Sequence, residues 1–339
     1  MPKISPFHRQ EYNSTRDITR QRLSPRTSIC LNLDDSKMTT ELNVVTGAFG
    51  YTGGYIAREL IANGSRVRTL TNHARVDNPL ARQLEIAPFN FDRPDDLARS
   101  LDGVAIIFNT YWIRFPHHGL DFDRAVSNLR TLIDAAQRAG VRRFVHVSIT
   151  NANAGSPLPY FRGKGIIEEY LARSELSHAI IRPAVIFGAE EILLNNIAWM
   201  LRRIPLFVIP GDGNYRVQPV FVEDLAKLAL DAGRRTDNFA IDAVGPETLT
   251  FNELIALIAR EVGSHVPIIH LPPAIALACA RIVGRAMGDV ILTLDEVRGL
   301  MANLLVSSAP PTAPTRFSEW LRRNAEFFGF HYASEVARR

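Results

Sequence analysis

From residue 42 onward, short apolar runs alternate with stretches whose apolar residues recur every three or four positions. Runs ending at Thr46, and at 66–70, 83–88, 104–109 and 143–147, predict strands; 122–139 and 160–173 predict amphipathic helices between them. Strands alternating with helices in this way predict a doubly wound parallel sheet. Further strands are expected at 179–182, 186–188, 206–209 and 217–222, then a helix over 224–232 capped by Asp224. From about 240 the pattern reads as mostly helical, with helices at 251–262, 274–287, 292–305 and 317–327 and a proline-rich linker at 307–314. The expected class is α/β: a Rossmann doubly wound parallel sheet over 38–190, and a smaller, mostly helical substrate region over 191–330 interleaved with the last sheet strands. Residues 331–339 read as a tail.

The turn after the first run is rich in glycine: Gly47, Ala48, Phe49, Gly50, Tyr51, Thr52, Gly53 and Gly54. A helical pattern follows through Ile56, Leu60 and Ile61, with Asn63-Gly64 as its C-cap. A strand, a tight glycine turn and a helix start wrap a dinucleotide pyrophosphate. Gly47 allows the sharp turn, Gly50 lets the backbone approach the phosphates, and Gly53 lets the helix pack on the strand. The free N–H groups at the helix start face the anion.

A second pattern lies about a hundred residues on. The run through Val147 and Ser148 to Thr150 ends in hydroxyls, and Tyr160-Phe161-Arg162-Gly163-Lys164 follows. On a helix Tyr160 and Lys164 are four apart and share a face. A free tyrosine titrates near ~10. A neighbouring ammonium favours the phenolate, so Lys164 is expected to bring Tyr160 toward working pH as a general acid/base.

Thr-Gly-x-x-Gly-x-x-Gly with this Tyr and Lys resembles the extended and atypical short-chain dehydrogenase/reductases, the NAD-dependent epimerase/dehydratase-like group. The segments His146-Val147-Ser148, Asn151-Ala152-Asn153, Ile181-Arg182-Pro183, Ile186-Phe187-Gly188, Gln218-Pro219-Val220 and Asp224-Leu225-Ala226 sharpen the likeness. They resemble the branch holding the NADPH-binding 39 kDa accessory subunit of respiratory complex I and NmrA-like proteins. The resemblance covers roughly 41–330 and implies Tyr160 as acid/base, Lys164 as its partner and nicotinamide-ribose ligand, and Ser148 as anchor of the reacting oxygen, with Thr150 a competing hydroxyl. It also implies cofactor contacts from Phe49, Tyr51, Thr52, Phe91, Asp92, Asn109 and Pro183, with Asp92 beside the adenine.

Cofactor preference is read after the second strand, where NAD enzymes place a carboxylate for the ribose hydroxyl. Here the first carboxylate is Asp77, while Asn72, His73 and Arg75 could hold a 2′-phosphate. The expectation is NADP, with NAD open.

Charge narrows the partners. The chain carries +4 overall, but residues 1–37 hold +3 of it. No basic stripe remains in the body, so nucleic acid is not expected. That segment lacks apolar periodicity and is expected to be a disordered extension with Met38 as the functional initiator, an organelle-targeting peptide being the runner-up, weakened by Glu11 and Asp17. No run is long enough to span a bilayer. Cys30 and Cys279 do not suggest a disulfide framework, and a cytoplasmic location is expected. The adjacent His117 and His118 are poorly placed to share a metal, and none is expected. Residues 111–118 are expected to wall the substrate pocket, and 274–287 to form a lid or core helix, open to peripheral membrane or protein docking.

The main expectation is an oxidoreductase that transfers hydride between nicotinamide and a secondary alcohol or ketone, its partner an unidentified small molecule. One alternative is a catalytically silent NADP(H)-binding scaffold or redox sensor. Another is a sugar-nucleotide epimerase or dehydratase, with Arg216 and Gln218 facing substrate.

Overall fold

The computed structural model describes residues 41–72, 77–117 and 119–335. The expected extension at 1–37, His73, Arg75, His118 and the end of the tail lie outside the described residues.

The first half runs β1 (Leu42–Thr46), α1 (Tyr51–Ala62), β2 (Arg66–Leu70), β3 (Glu85–Ala87), α2 (Pro94–Arg99), β4 (Val104–Asn109), α3 (Phe122–Arg138), β5 (Arg143–Val147), α4 (Pro159–Arg173) and β6 (Ser177–Pro183). The second half runs β7 (Val185–Phe187), α5 (Ile192–Arg203), β8 (Phe207–Pro210), β9 (Arg216–Val217), β10 (Pro219–Phe221), α6 (Val222–Arg234), β11 (Phe239–Ala243), β12 (Leu249–Thr250), α7 (Phe251–Glu261), β13 (Ile268–Leu271), α8 (Pro273–Met287), α9 (Leu294–Met301) and α10 (Phe317–Asn324).

Seven strands form one sheet in the order β11-β6-β5-β4-β1-β2-β3, every neighbour parallel. Helices cover both faces, so adjacent residues such as Val44 and Val45 are both fully buried, on opposite sides. The chain reverses its direction of travel across the sheet between β1 and β4, which opens a crevice at their carboxyl ends. A third core lies beyond, built on α5, α7, α10 and the small pairs β13–β8 and β12–β9.

Two helix starts contrast. Asp121 accepts the Arg124 N–H at 2.7 Å to cap α3, whereas α1 begins at Gly50 with no side-chain cap and no acid in its first turn. At its other end α1 stops at Asn63, with Gly64 at φ 78°, as expected.

Three expectations are corrected. Phe239–Ala243, read as lying where the chain turns helical, pairs with β6 as the seventh strand. The single strand expected over 217–222 is two, parted at Gln218. Asp224 does not cap α6, whose N-cap is Phe221; it accepts the Thr315 N–H at 3.0 Å and so ties down the approach to α10.

Candidate functional site

The crevice at the end of β1 is a groove of about 400 Å³. Its floor is the glycine turn. Gly47 sits at φ 70°, and a Cβ on Gly53 would lie 2.4 Å from the Gly47 carbonyl oxygen. These positions require glycine for different reasons, a left-handed backbone and a close helix–turn approach. Gly50 donates its N–H to Gly47 O at 2.8 Å, closing the turn below the uncapped start of α1. Gly47, Gly50, Tyr51, Thr52 and Gly53 line the groove with Pro183, Ser148, Tyr160 and Lys164. Phe49 is half-buried in the same turn but outside the lining.

Four expected cofactor contacts fall elsewhere. Asn109 is fully buried: its Oδ1 accepts from the Thr46 hydroxyl at 3.0 Å, and its amide reaches His146 Nδ1 at 2.8 Å. Its side chain ties β4 to β1 and β5 and lies outside the groove lining. Asn72 is exposed, and its Oδ1 accepts the Phe89 N–H at 3.0 Å. Phe91 stacks on Phe89 at 4.7 Å and so backs the groove wall. Asp92 is exposed and outside the lining.

The Asn109 network fixes protons. Thr46 Oγ1 accepts the N–H groups of Thr110 and Tyr111, at 2.8 and 3.0 Å, so its own hydrogen goes to Asn109. Asn109 must then donate to His146 Nδ1, leaving that ring's proton on Nε2, which is buried without a partner among the described residues. Burial, and then the Lys164 charge, hold His146 well below its usual value, so it is neutral.

Tyr160 and Lys164 meet on α4 as expected, but their chemistry differs. Lys164 Nζ donates to the Val147 carbonyl at 2.8 Å and lies 4.7 Å over the Trp112 ring. Burial lowers it to about 7, with Glu168 opposing. Tyr160 packs edge-on against Trp112, Phe122 and Phe161, and its hydroxyl has no hydrogen-bond partner among the described residues. Burial, then the Glu296 carboxylate, raise its phenol above the ordinary range. The expected lowering by Lys164 is therefore reversed: a desolvated ammonium turned toward a carbonyl does little for a phenolate in an aromatic cage.

Ser148 is likewise redirected. Its hydroxyl donates to Glu168 Oε1 at 2.5 Å, and Arg182 grips the same carboxylate at 2.5–3.0 Å. Thr150, the competing hydroxyl, donates to Leu304 O at 2.8 Å. Between them Ile149 lines the groove. Sequence reasoning missed Glu168 as the acceptor of the Ser148 hydroxyl; its place on α4, four residues beyond Lys164, was the available signal. It also missed Phe89 and Thr110 as groove walls; Trp112, from the segment expected to wall the pocket, lines the groove, and its buried Nε1 has no partner among the described residues.

The sugar-nucleotide residues do not converge. Arg216 is exposed, and Gln218 is buried between Gly245 O (2.9 Å) and the Ser307 N–H (3.1 Å).

The groove suits a dinucleotide: a glycine floor that a Cβ would fill, an uncapped helix start, and an orphaned indole N–H in the wall. Comparison with known proteins agrees. Residues 47–192 match the NAD(P)H-binding family model. The chain is 25% identical over 284 residues to NADH dehydrogenase [ubiquinone] 1 alpha subcomplex subunit 9, mitochondrial, of Arabidopsis thaliana, covering 78% of this chain and 70% of that one. Among solved structures, UDP-glucose 4-epimerase of Thermotoga maritima superposes with a TM-score of 0.63 at 20% identity, over 84% of this chain and 98% of that one. NADPH-dependent quinone oxidoreductase QOR2 of Escherichia coli, complexed with NADPH, gives 0.67 at 19%, over 84% and 98%.

Two expectations are overturned. Relatives are named as mitochondrial or chloroplastic proteins, against a cytoplasmic location. Several are named as subunits of NADH dehydrogenase, a protein assembly, where the small-molecule partner was put first and protein docking came second. The chain thus carries an NAD(P)H-binding Rossmann domain and is related to the 39 kDa accessory subunit of complex I, with the fold of the epimerase/dehydratase-like and NmrA-like reductases.

Proposed function

We propose that the protein is an NADP(H)-binding accessory or redox-sensing component of a larger protein assembly, in which the cofactor is held and not turned over. The observation that carries this reading is the Ser148–Glu168 bond. The hydroxyl that would hold a reacting oxygen instead donates its hydrogen bond to a buried carboxylate already gripped by Arg182. Meanwhile the glycine floor is intact.

Gly47, Gly50, Thr52 and Gly53 would hold the pyrophosphate against the start of α1, and Lys164 and Pro183 would flank the nicotinamide end. When bound, the nicotinamide supplies a hydride-carrying ring whose redox state such a component would read. NADP(H) is preferred because the sequence from Thr71 to Val76 carries no carboxylate to repel a 2′-phosphate.

Calorimetric titration with NADPH and NADH tests this. Tight NADPH binding, weaker NADH binding, and loss of both in Gly50→Asp are expected. Absence of binding to the native protein overturns it. A reductase is the second reading, favoured by Tyr160: a phenol kept protonated and facing the groove suits proton donation to a carbonyl.

A further inference from the structure

A second cavity, of about 620 Å³, lies between the groove and the helices that follow it. Its size falls within the ordinary span of small-molecule pockets. Tyr51, Thr52, Ile149, Tyr160, Ala184 and Ile186 face both cavities, so the two share a wall.

Away from that wall the lining is hydrocarbon, drawn from Leu194, Ile197 and Met200 on α5, Leu254 on α7, and Ala280 and Val283 on α8. Water in such a space finds few partners, so an apolar occupant gains by displacing it.

The charged residues in the lining are Arg114, Glu191, Asp295, Glu296 and Glu335. Four are acidic, and the single cation is already committed. Arg114 Nε lies 2.5 Å from Glu296 Oε1, its Nη2 donates to Ile291 O at 3.0 Å, and Glu335 stands 3.7 Å away. Two of the acids are held by helix starts: Glu191 accepts from Leu193 and Leu194 N–H, and Glu296 from Thr293. This corner would repel a phosphate or carboxylate and offers it no uncommitted cation among the described residues. On the shared wall the Tyr160 hydroxyl, without a hydrogen-bond partner among the described residues, is open to a neutral head group.

We propose that this cavity is a binding site for an uncharged molecule with a long hydrocarbon chain and a small hydroxyl or carbonyl head, the chain lying among α5, α7 and α8 and the head bonded to Tyr160. The site stands independently of the cofactor reading.

Displacement of the dye Nile red by dodecanol and by dodecanoate, measured without cofactor on the full chain, tests the proposal. Dodecanol should bind at least about tenfold more tightly than the carboxylate of equal length. Ala280→Trp, which fills the hydrocarbon end, should weaken dodecanol by a similar factor with melting temperature retained. Glu296→Gln keeps the helix cap, removes one charge and loosens Arg114, so it should raise dodecanoate affinity and leave dodecanol unchanged. Dodecanoate binding as tightly as dodecanol, or Ala280→Trp binding dodecanol like the native protein, would overturn it. Because no cofactor is present, this site and NAD(P)H binding fail separately.

Discussion

Lys164 Nζ reaches the Val147 carbonyl at 2.8 Å, tying α4 to the carboxyl end of β5 beneath the Trp112 ring. An ammonium held this way is costly, and its titration should be visible in the stability of the protein. Burial brings Lys164 to about 7 in the folded state, against ~10.4 for an unperturbed lysine. Between those values the unfolded chain binds more protons, so this site's contribution to stability rises with pH across that window. Below about 7 both states are protonated and the full penalty applies. Lys164→Met removes the titration. Its melting temperature relative to the native protein should be highest near pH ~6 and fall toward pH ~10. A difference flat across that range would show that the ammonium is solvated.

Ser148→Ala should destabilise the protein by about 1–3 kcal/mol, because the buried Glu168 carboxylate loses a donor. NADPH affinity should hold within about twofold, since no cofactor bond depends on that hydroxyl in the proposed reading. Chemical denaturation and calorimetry together check this. A large loss of affinity with stability intact would return Ser148 to the ligand.

Gly53→Ala places a methyl 2.4 Å from the Gly47 carbonyl oxygen, against backbone that cannot rotate away. Overpacking of this kind costs about 1–3 kcal/mol. The start of α1 must also shift, so cofactor binding should fall along with stability. Gly103→Ala is the control: its positive φ strains an alanine, but open space surrounds it. It should lose stability and keep NADPH affinity.

Tyr160→Phe separates the two functional readings. An accessory or sensing protein should keep its NADPH affinity and show no hydride transfer to lose. In a reductase, single-turnover transfer from NADPH to a carbonyl acceptor should drop by about 10²–10⁴-fold. Detection of that drop would overturn the non-catalytic reading.

Much of the sheet was legible because its strands are short apolar runs bounded by turns: 66–70, 104–109 and 143–147 match the structure to the residue. The seventh strand was not. Phe239–Ala243 carries Asp242 and an exposed Ala240, and only its pairing with β6 selects the extended form. The glycine floor was legible because backbone constraint leaves its mark locally. The fates of Asn109, Ser148 and Lys164 were not, since each depends on a partner brought in by another element or by the end of a strand: His146, Glu168 and Val147. Residue type announces a polar side chain and says nothing of which neighbour takes its proton.

The late return of β11 bears on how the molecule can be cut. A fragment ending at Ile192, where the family match stops, would strip β6 of its outer neighbour and uncover a row of unpaired N–H and C=O groups. It would also lose α6, whose Leu225, Ala226, Ala229 and Leu230 pack with Val45, Phe108 and Val145 in one face's core. Such a piece should associate edge to edge. In this chain the nucleotide-binding half is sealed by residues that come after it.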